Sequence, residues 1–222
     1  LGDVYKRQGV VDSSPLSDTP RPGNAKFKKL TPVDPNSTNP YQLTEADRTV
    51  IGNTTPKFSG GFGLNATYKG FDLSMFFSYM YDFDVLNANK IMLTTWADNK
   101  DNNFLMDIAS DKRWRNFDDM GNEIRYSPEI LAEFNKDATM WNPTSIGRPI
   151  SMSYAVEDGS FLRLSSATFG YTLPVAWTRK VGLNKVRFYV SGNNLFVLTG
   201  YSGYDPEVNI ATGLTPNIDY NR

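Results

Sequence analysis

Phe58-Ser59-Gly60-Gly61-Phe62-Gly63-Leu64-Asn65-Ala66-Thr67-Tyr68-Lys69-Gly70-Phe71-Asp72-Leu73-Ser74-Met75-Phe76-Phe77-Ser78-Tyr79-Met80-Tyr81-Asp82 is the stretch whose reading decides the fold. Lys69-Gly70 suits a two-residue hairpin turn, with glycine second, where a positive φ is needed. That turn sets Tyr68 against Phe71, Ala66 against Leu73, Leu64 against Met75, Phe62 against Phe77, Gly60 against Tyr79 and Phe58 against Tyr81. One face is then almost wholly apolar. The other pairs Thr67 with Asp72, Asn65 with Ser74, Gly63 with Phe76, Gly61 with Ser78 and Ser59 with Met80, mostly small or polar. Period two is kept on both strands at once. Strands of about 11 residues tilted roughly 45° cross a bilayer core, whereas strands in soluble sandwiches run about 5 to 6. Phe58, Tyr68, Phe71, Tyr79 and Tyr81 gather towards the hairpin ends, where membrane barrels carry aromatic girdles. The fold class predicted is all-β, part of a transmembrane antiparallel barrel, with a soluble carbohydrate-binding β-sandwich as the alternative.

Composition is consistent with that reading. The 222 residues are 40% hydrophobic and 14% aromatic but contain no long apolar run, so a helical membrane bundle is excluded and a barrel is not. Net charge is −1 with no clustered basic face, which disfavours nucleic acid as a partner. Neither cysteine nor histidine occurs, so thiol chemistry, disulfides, imidazole bases and the usual zinc ligands are absent. Leu1 to Gln8 lacks the apolar core of a signal peptide and looks like a terminal read-through string.

Two more strands are predicted downstream. In Phe161 to Leu173, Leu162 and Leu164 keep one phase while Ala167, Phe169, Tyr171 and Leu173 keep the other, so a β-bulge is expected near Ser165-Ser166. Pro174 ends that strand, and Val175 to Lys180 reads as one helical turn, with proline at its first position, closed by Gly182. Val186 to Leu198 alternates until Asn193-Asn194, where a second irregularity is expected. Connections alternate long and short, as they do between external loops and periplasmic turns of bacterial barrels. The expected order is an extracellular loop over 1–57, a transmembrane hairpin over 58–82, a long extracellular loop over 83–160, two transmembrane strands over 161–198 joined by a periplasmic turn, and an external loop over 199–222. The long loop is too large to be featureless. Val85, Ala88, Met92 and Trp96 recur at helical spacing, and Ser127-Pro128-Glu129 opens a short helix with Ile130, Leu131 and Phe134 on one side.

No residue set reads as catalytic. Asp118-Asp119 and the Glu129/Glu133 pair are solvated loop carboxylates rather than a matched acid and base. Gly61-Phe62-Gly63-Leu64-Asn65-Ala66 has dinucleotide-fingerprint spacing, yet lies inside a strand instead of after one. Asp34-Pro35-Asn36-Ser37-Thr38-Asn39, ending at Glu45, has oxygen ligands at calcium-loop spacing, but Asn39 stands where the turn glycine belongs. No cofactor is therefore expected. Trp96, Trp114, Tyr126 and Trp141 in the long loop are the candidate substrate contacts, since flat rings beside polar groups stack against sugars and peptides; loop tryptophans also serve as packing anchors.

Several motifs recur in one order: Asp47-Arg48-Thr49-Val50-Ile51-Gly52-Asn53 with Pro56-Lys57-Phe58; Asp158-Gly159-Ser160-Phe161-Leu162-Arg163-Leu164; Phe169-Gly170-Tyr171-Thr172-Leu173-Pro174; Arg187-Phe188-Tyr189-Val190-Ser191-Gly192-Asn193-Asn194-Leu195-Phe196; and Tyr201-Ser202-Gly203-Tyr204-Asp205-Pro206-Glu207. In that order they resemble the C-terminal barrel strands of SusC/RagA-type TonB-dependent outer-membrane transporters. The resemblance implies a plugged barrel of about 22 strands that imports oligosaccharide or peptide cargo. It also implies a SusD-like surface lipoprotein as partner, TonB engaged through an upstream plug not visible here, and no enzymatic activity. Adhesins and porins are the alternatives among barrels.

Overall fold

Lys69 and Gly70 both take positive φ, 48° and 90°, and so reverse the chain in two residues. They join β1 (Phe58–Tyr68) to β2 (Phe71–Tyr81), antiparallel, with the eleven pairs from Phe58 opposite Tyr81 to Tyr68 opposite Phe71 that the sequence predicts. The computed structural model describes residues 3–4, 22–32, 36, 43–95, 104–108, 112–145, 151–208 and 218–219. These residues divide into two units. One comprises Leu1–Gly52, Leu86–Val156 and Ile218–Arg222, the other Asn53–Val85 and Glu157–Asn217.

In the second unit β3 (Phe161–Thr172) and β4 (Arg187–Thr199) complete a four-stranded antiparallel sheet in the order β1-β2-β3-β4. Their limits differ by one residue from the sequence reading. The predicted bulge is present: pairing steps from Leu164 to Ser166 on β3 and from Phe196 to Asn193 on β4. Asn194 adopts a φ of 50° there, which a short polar side chain tolerates. Ser165, the extra residue, places its hydroxyl 2.7 Å from that of Ser78. The β3–β4 connection contains the helical turn Val175–Thr178, which Pro174 caps rather than entering, and Gly182 closes the connection at φ 73°. Among the described residues, β1 and β4 each leave one edge unpaired.

The first unit has its own apolar core: Ala25, Ile108, Trp114, Ile124, Leu131, Ala138, Met140, Trp141 and Met152, with Phe27, Phe104, Phe134 and Tyr154 against it. The helix Pro128–Phe134 turns Leu131 and Phe134 into this core, while Ile130, predicted on the same side, is exposed. The helical spacing from Val85 to Trp96 is realised only in part. Val85 is extended, and the helix covers Ala88–Met92, capped by the Asn87 side chain accepting from the Lys90 amide. No described helix is long and apolar enough to cross a membrane, a statement that does not bear on strands.

Candidate functional site

The register of four strands gives the sheet two chemically different faces. Phe62, Leu64 and Tyr68 of β1 lie on one face with Phe71, Met75 and Phe77 of β2, Leu162, Ala167 and Phe169 of β3, and Phe188, Val190 and Leu198 of β4. Rings stack along it: Phe62 and Phe77 have centroids 4.9 Å apart, and Phe71 lies 4.4 Å from Tyr171 and 5.7 Å from Phe169. These side chains pack sideways yet stay open above, with Leu64 51% exposed and Val190 67% exposed. An apolar surface that no part of the described chain covers needs an apolar surrounding.

The opposite face carries Asn65, Thr67, Ser74, Ser78, Ser166, Thr168, Ser191 and Asn193. The glycines of Gly61-Phe62-Gly63 point here and provide room for a ring. A Cβ on Gly61 would meet Phe76 at 2.6 Å, so Phe76 lies across the glycine backbone; Met80, Phe161, Tyr189 and Val197, nearer the strand ends, are the other large apolar or aromatic residues of this face. The same fit occurs at Gly170, where the Asp72–Arg187 ion pair reaches across β3 in the space that a Cβ would fill.

At the sheet end remote from the hairpin turn, the family-like motifs form one clamp. The Asp158 carboxylate accepts from the Ser160 amide and hydroxyl at 2.9 and 2.5 Å. The Gly159 amide donates to the Phe83 carbonyl at 2.8 Å, and a Cβ on Gly159 would meet Phe83 and Val85 at 2.6 Å. Phe83, Val85, Phe161 and Tyr201 form a small buried core. Arg163, 11% exposed, holds Asp205 at 2.6 Å and Glu207 at 3.4 Å, while Glu157 accepts from the Ser202 amide and hydroxyl at 2.9 and 2.8 Å. Gly203 is required under the Tyr201 ring, since a Cβ there would sit 2.4 Å from it. Tyr201 to Glu207 is thus a folded return of the chain onto its own sheet.

In the first unit Asp47 of the Asp47-Arg48 motif is a hub that sequence reasoning matched but did not explain. Its carboxylate accepts from the Leu30 and Thr31 amides at 2.9 and 2.7 Å, the Thr31 hydroxyl at 2.8 Å, the Thr44 amide at 2.8 Å and the Lys29 ammonium at 3.4 Å. The Thr31 and Thr44 amides together hold the Asp47 carboxyl well below the usual carboxylate range.

The aromatic candidates separate. Trp114 and Trp141 are buried in the core of the first unit. Trp114 packs against Gly23, where a Cβ would meet its ring at 2.3 Å, and Trp141 donates its indole N–H to the Thr94 carbonyl at 3.3 Å with Tyr154 edge-on at 5.0 Å. Tyr126 is 78% exposed. Trp96 lies outside the described residues, as does most of the Asp34–Asn39 loop considered for calcium. Among the described residues no group of three or more metal-ligating side chains occurs.

No protein-family model matches the chain. TonB-dependent receptor P3 of Formosa agariphila is 34% identical over 212 residues, 92% of this chain and 18% of the relative. TonB-dependent receptor P39 of the same organism is 27% identical over 175 residues, 78% of this chain and 15% of that protein. The chain therefore spans 15–18% of the length of the curated relatives it matches. In fold it is similar to the RagAB peptide transporter, with a TM-score of 0.60 and 22% identity over 89% of this chain and 19% of that one. It is also similar to the RagAB peptide importer in its open-open state, with a TM-score of 0.57 and 22% identity over 98% of this chain and 19% of that one. The ordered motifs, the two-faced sheet they build and a relative matched along nearly the whole chain agree: the chain belongs to the TonB-dependent receptors and shares the fold of RagAB.

Proposed function

We propose that the sheet is a sector of a closed outer-membrane β-barrel that imports nutrients by a TonB-dependent route. The observation that carries this reading is the uniform apolar face across four strands of 11, 11, 12 and 13 residues, backed by a face that is mostly small and polar. Strands of that length suit a bilayer, and a polar inner face suits a water-filled or plugged lumen. Barrel closure would also pair the β1 and β4 edges, whose open backbone groups are costly in lipid. In this reading the first unit is extracellular, a SusD-like lipoprotein is the surface partner, and the cargo is an oligosaccharide or a peptide. Exposed Tyr126 is the aromatic best placed to meet cargo, and Trp114 and Trp141 hold the unit that presents it. The reading assigns no catalytic step.

The test is uptake by whole cells. Deleting the gene should abolish accumulation of fluorescent oligosaccharides or of fluorescent peptides, and deleting TonB should do the same while the receptor stays in the outer membrane. Uptake of both classes that is indifferent to the gene, or that depends on the gene but not on TonB, as in a passive porin, would overturn the reading.

A further inference from the structure

The described charges of the second unit segregate along the strands. The end with the Lys69-Gly70 hairpin and the β3–β4 connection holds Lys69, Arg179, Lys180, Lys185 and Arg187 against Asp72 alone. Asp82, Asp84, Glu157, Asp158, Asp205 and Glu207 gather at the other end against Lys57 and Arg163. Arg187 is taken up by Asp72. Lys69, Arg179, Lys180 and Lys185 form no ion pair among the described residues and are exposed.

The β3–β4 connection has a second property. Val175, Trp177, Val181 and Leu183 are 51%, 61%, 71% and 51% exposed. Their exposure is not that of a slack loop. The Thr178 side chain is buried and donates to the Val175 carbonyl at 3.2 Å, the Leu183 amide donates to the Thr178 carbonyl at 3.0 Å, and the Leu173 amide donates to the Val186 carbonyl at 2.9 Å. The backbone is thus folded to hold an indole and three aliphatic side chains outward beside three cations. Indole at a polar–apolar boundary with adjoining ammonium and guanidinium groups is the chemistry that recognises a phospholipid headgroup layer.

We infer that residues 173–186 form an interfacial foot that docks on anionic phospholipid headgroups, with Trp177 and Val181 in the headgroup layer and Arg179, Lys180 and Lys185 on its phosphates. The inference rests on the bilayer reading above. It adds a lipid preference confined to one end of the strands, because the other end is acidic and repels the same headgroups.

The experiment uses the intact receptor that carries this chain, in a background free of cysteine; these 222 residues contribute none. Trp177→Cys, Val181→Cys and, as a depth marker on the apolar face, Leu64→Cys are labelled with an environment-sensitive fluorophore. They are then reconstituted in vesicles of phosphatidylethanolamine with phosphatidylglycerol. Spin-labelled phosphatidylglycerol should quench the 177 and 181 labels about fivefold more effectively than spin-labelled phosphatidylcholine, the enrichment expected of one basic residue at the surface or more. Aqueous iodide should reach neither label. Charge reversal of Arg179, Lys180 and Lys185 to Glu should bring the two lipids to parity while the Leu64 label keeps its depth.

If iodide quenches the 177 and 181 labels while Leu64 stays protected, or if the lipid preference survives charge reversal, the foot is refuted and the bilayer reading stands. Labels shielded from iodide but not quenched by lipid mean that a protein covers the turn, which also refutes it. Iodide access at Leu64 would refute the bilayer reading and the inference together.

Discussion

Leu64→Arg is the substitution on which the two-faced sheet is most exposed to refutation. Leu64 lies near the middle of the 11-residue β1, opposite Met75 and between Phe62 and Ala66 on the apolar face. On the barrel reading proposed above, at about 3.3 Å per residue and a tilt near 45°, β1 would cover about 25 Å along the membrane normal, the height of the apolar band of a barrel. Leu64 is then near the midplane, where a lipid-facing arginine costs about 2–4 kcal/mol. Tyr68→Arg, on the same face at the hairpin end, should cost about 0–1 kcal/mol because its guanidinium reaches the interface. Asn65→Arg points to the other face, opposite Ser74, and should cost less than Leu64→Arg by at least about 1.4 kcal/mol, a tenfold difference in the folding equilibrium. The assay is denaturant unfolding of the receptor in lipid vesicles, followed by tryptophan fluorescence. If Asn65→Arg matches Leu64→Arg, or the cost fails to fall between Leu64 and Tyr68, neither the face assignment nor the strand depth is correct.

Gly23→Ala adds a strained backbone at φ 91° to a collision with the Trp114 ring, and should destabilise the first unit by about 2–5 kcal/mol. Gly121→Ala, at φ 84° with open space around it, should cost only about 1–2 kcal/mol, and the two are ranked by limited proteolysis. Because Asp47 has a depressed carboxyl, its contribution is full above the unfolded carboxylate value near pH 4 (about 4) and is lost as pH falls towards its folded value. Acid unfolding of the first unit should therefore lose part of its pH dependence in Asp47→Asn, read by circular dichroism between pH 5 and pH 2 (about the window the linkage sets). Arg163→Leu removes both ion pairs that hold Asp205 and Glu207, and should cost about 1–2 kcal/mol, less than a fully buried pair because Asp205 is half exposed. Proteolytic cleavage within residues 200–208 should rise accordingly, and unchanged cleavage would count against the clamp.

The sheet is legible in the sequence because every rule that builds it is local. Lys69-Gly70 names the turn, alternation names the faces, and the change of phase between Leu164 and Ala167 names the bulge before any partner strand is considered. The first unit follows no such rule. Its core draws Ala25 and Phe27 from upstream of the hairpin to meet Trp114, Met140 and Met152 far downstream, and Asp47 is anchored by residues 29–31 and 44. Nothing in the run around Trp114 distinguishes a ring that will stack on Gly23 from one that will face a ligand; the information lies in the pairing of distant residues. Tyr201 to Glu207 stands between these cases. Its order is recognisable, yet its purpose appears only when Arg163 and Glu157 close on it from the sheet.

A physical asymmetry underlies the contrast. A sheet face turned to lipid meets a uniform surrounding, so each position has to satisfy one condition, and a period of two suffices to encode it. A folded loop meets only other loop, so each position is conditioned on a partner that chain order does not reveal. That same conditioning leaves the loop unit free to change its exposed residues, such as Tyr126, while Trp114, Trp141 and Asp47 keep its frame. On the import reading proposed above, selectivity for cargo is therefore expected to reside in the part of the chain least legible from sequence, and the scaffold that identifies the family in the part most legible.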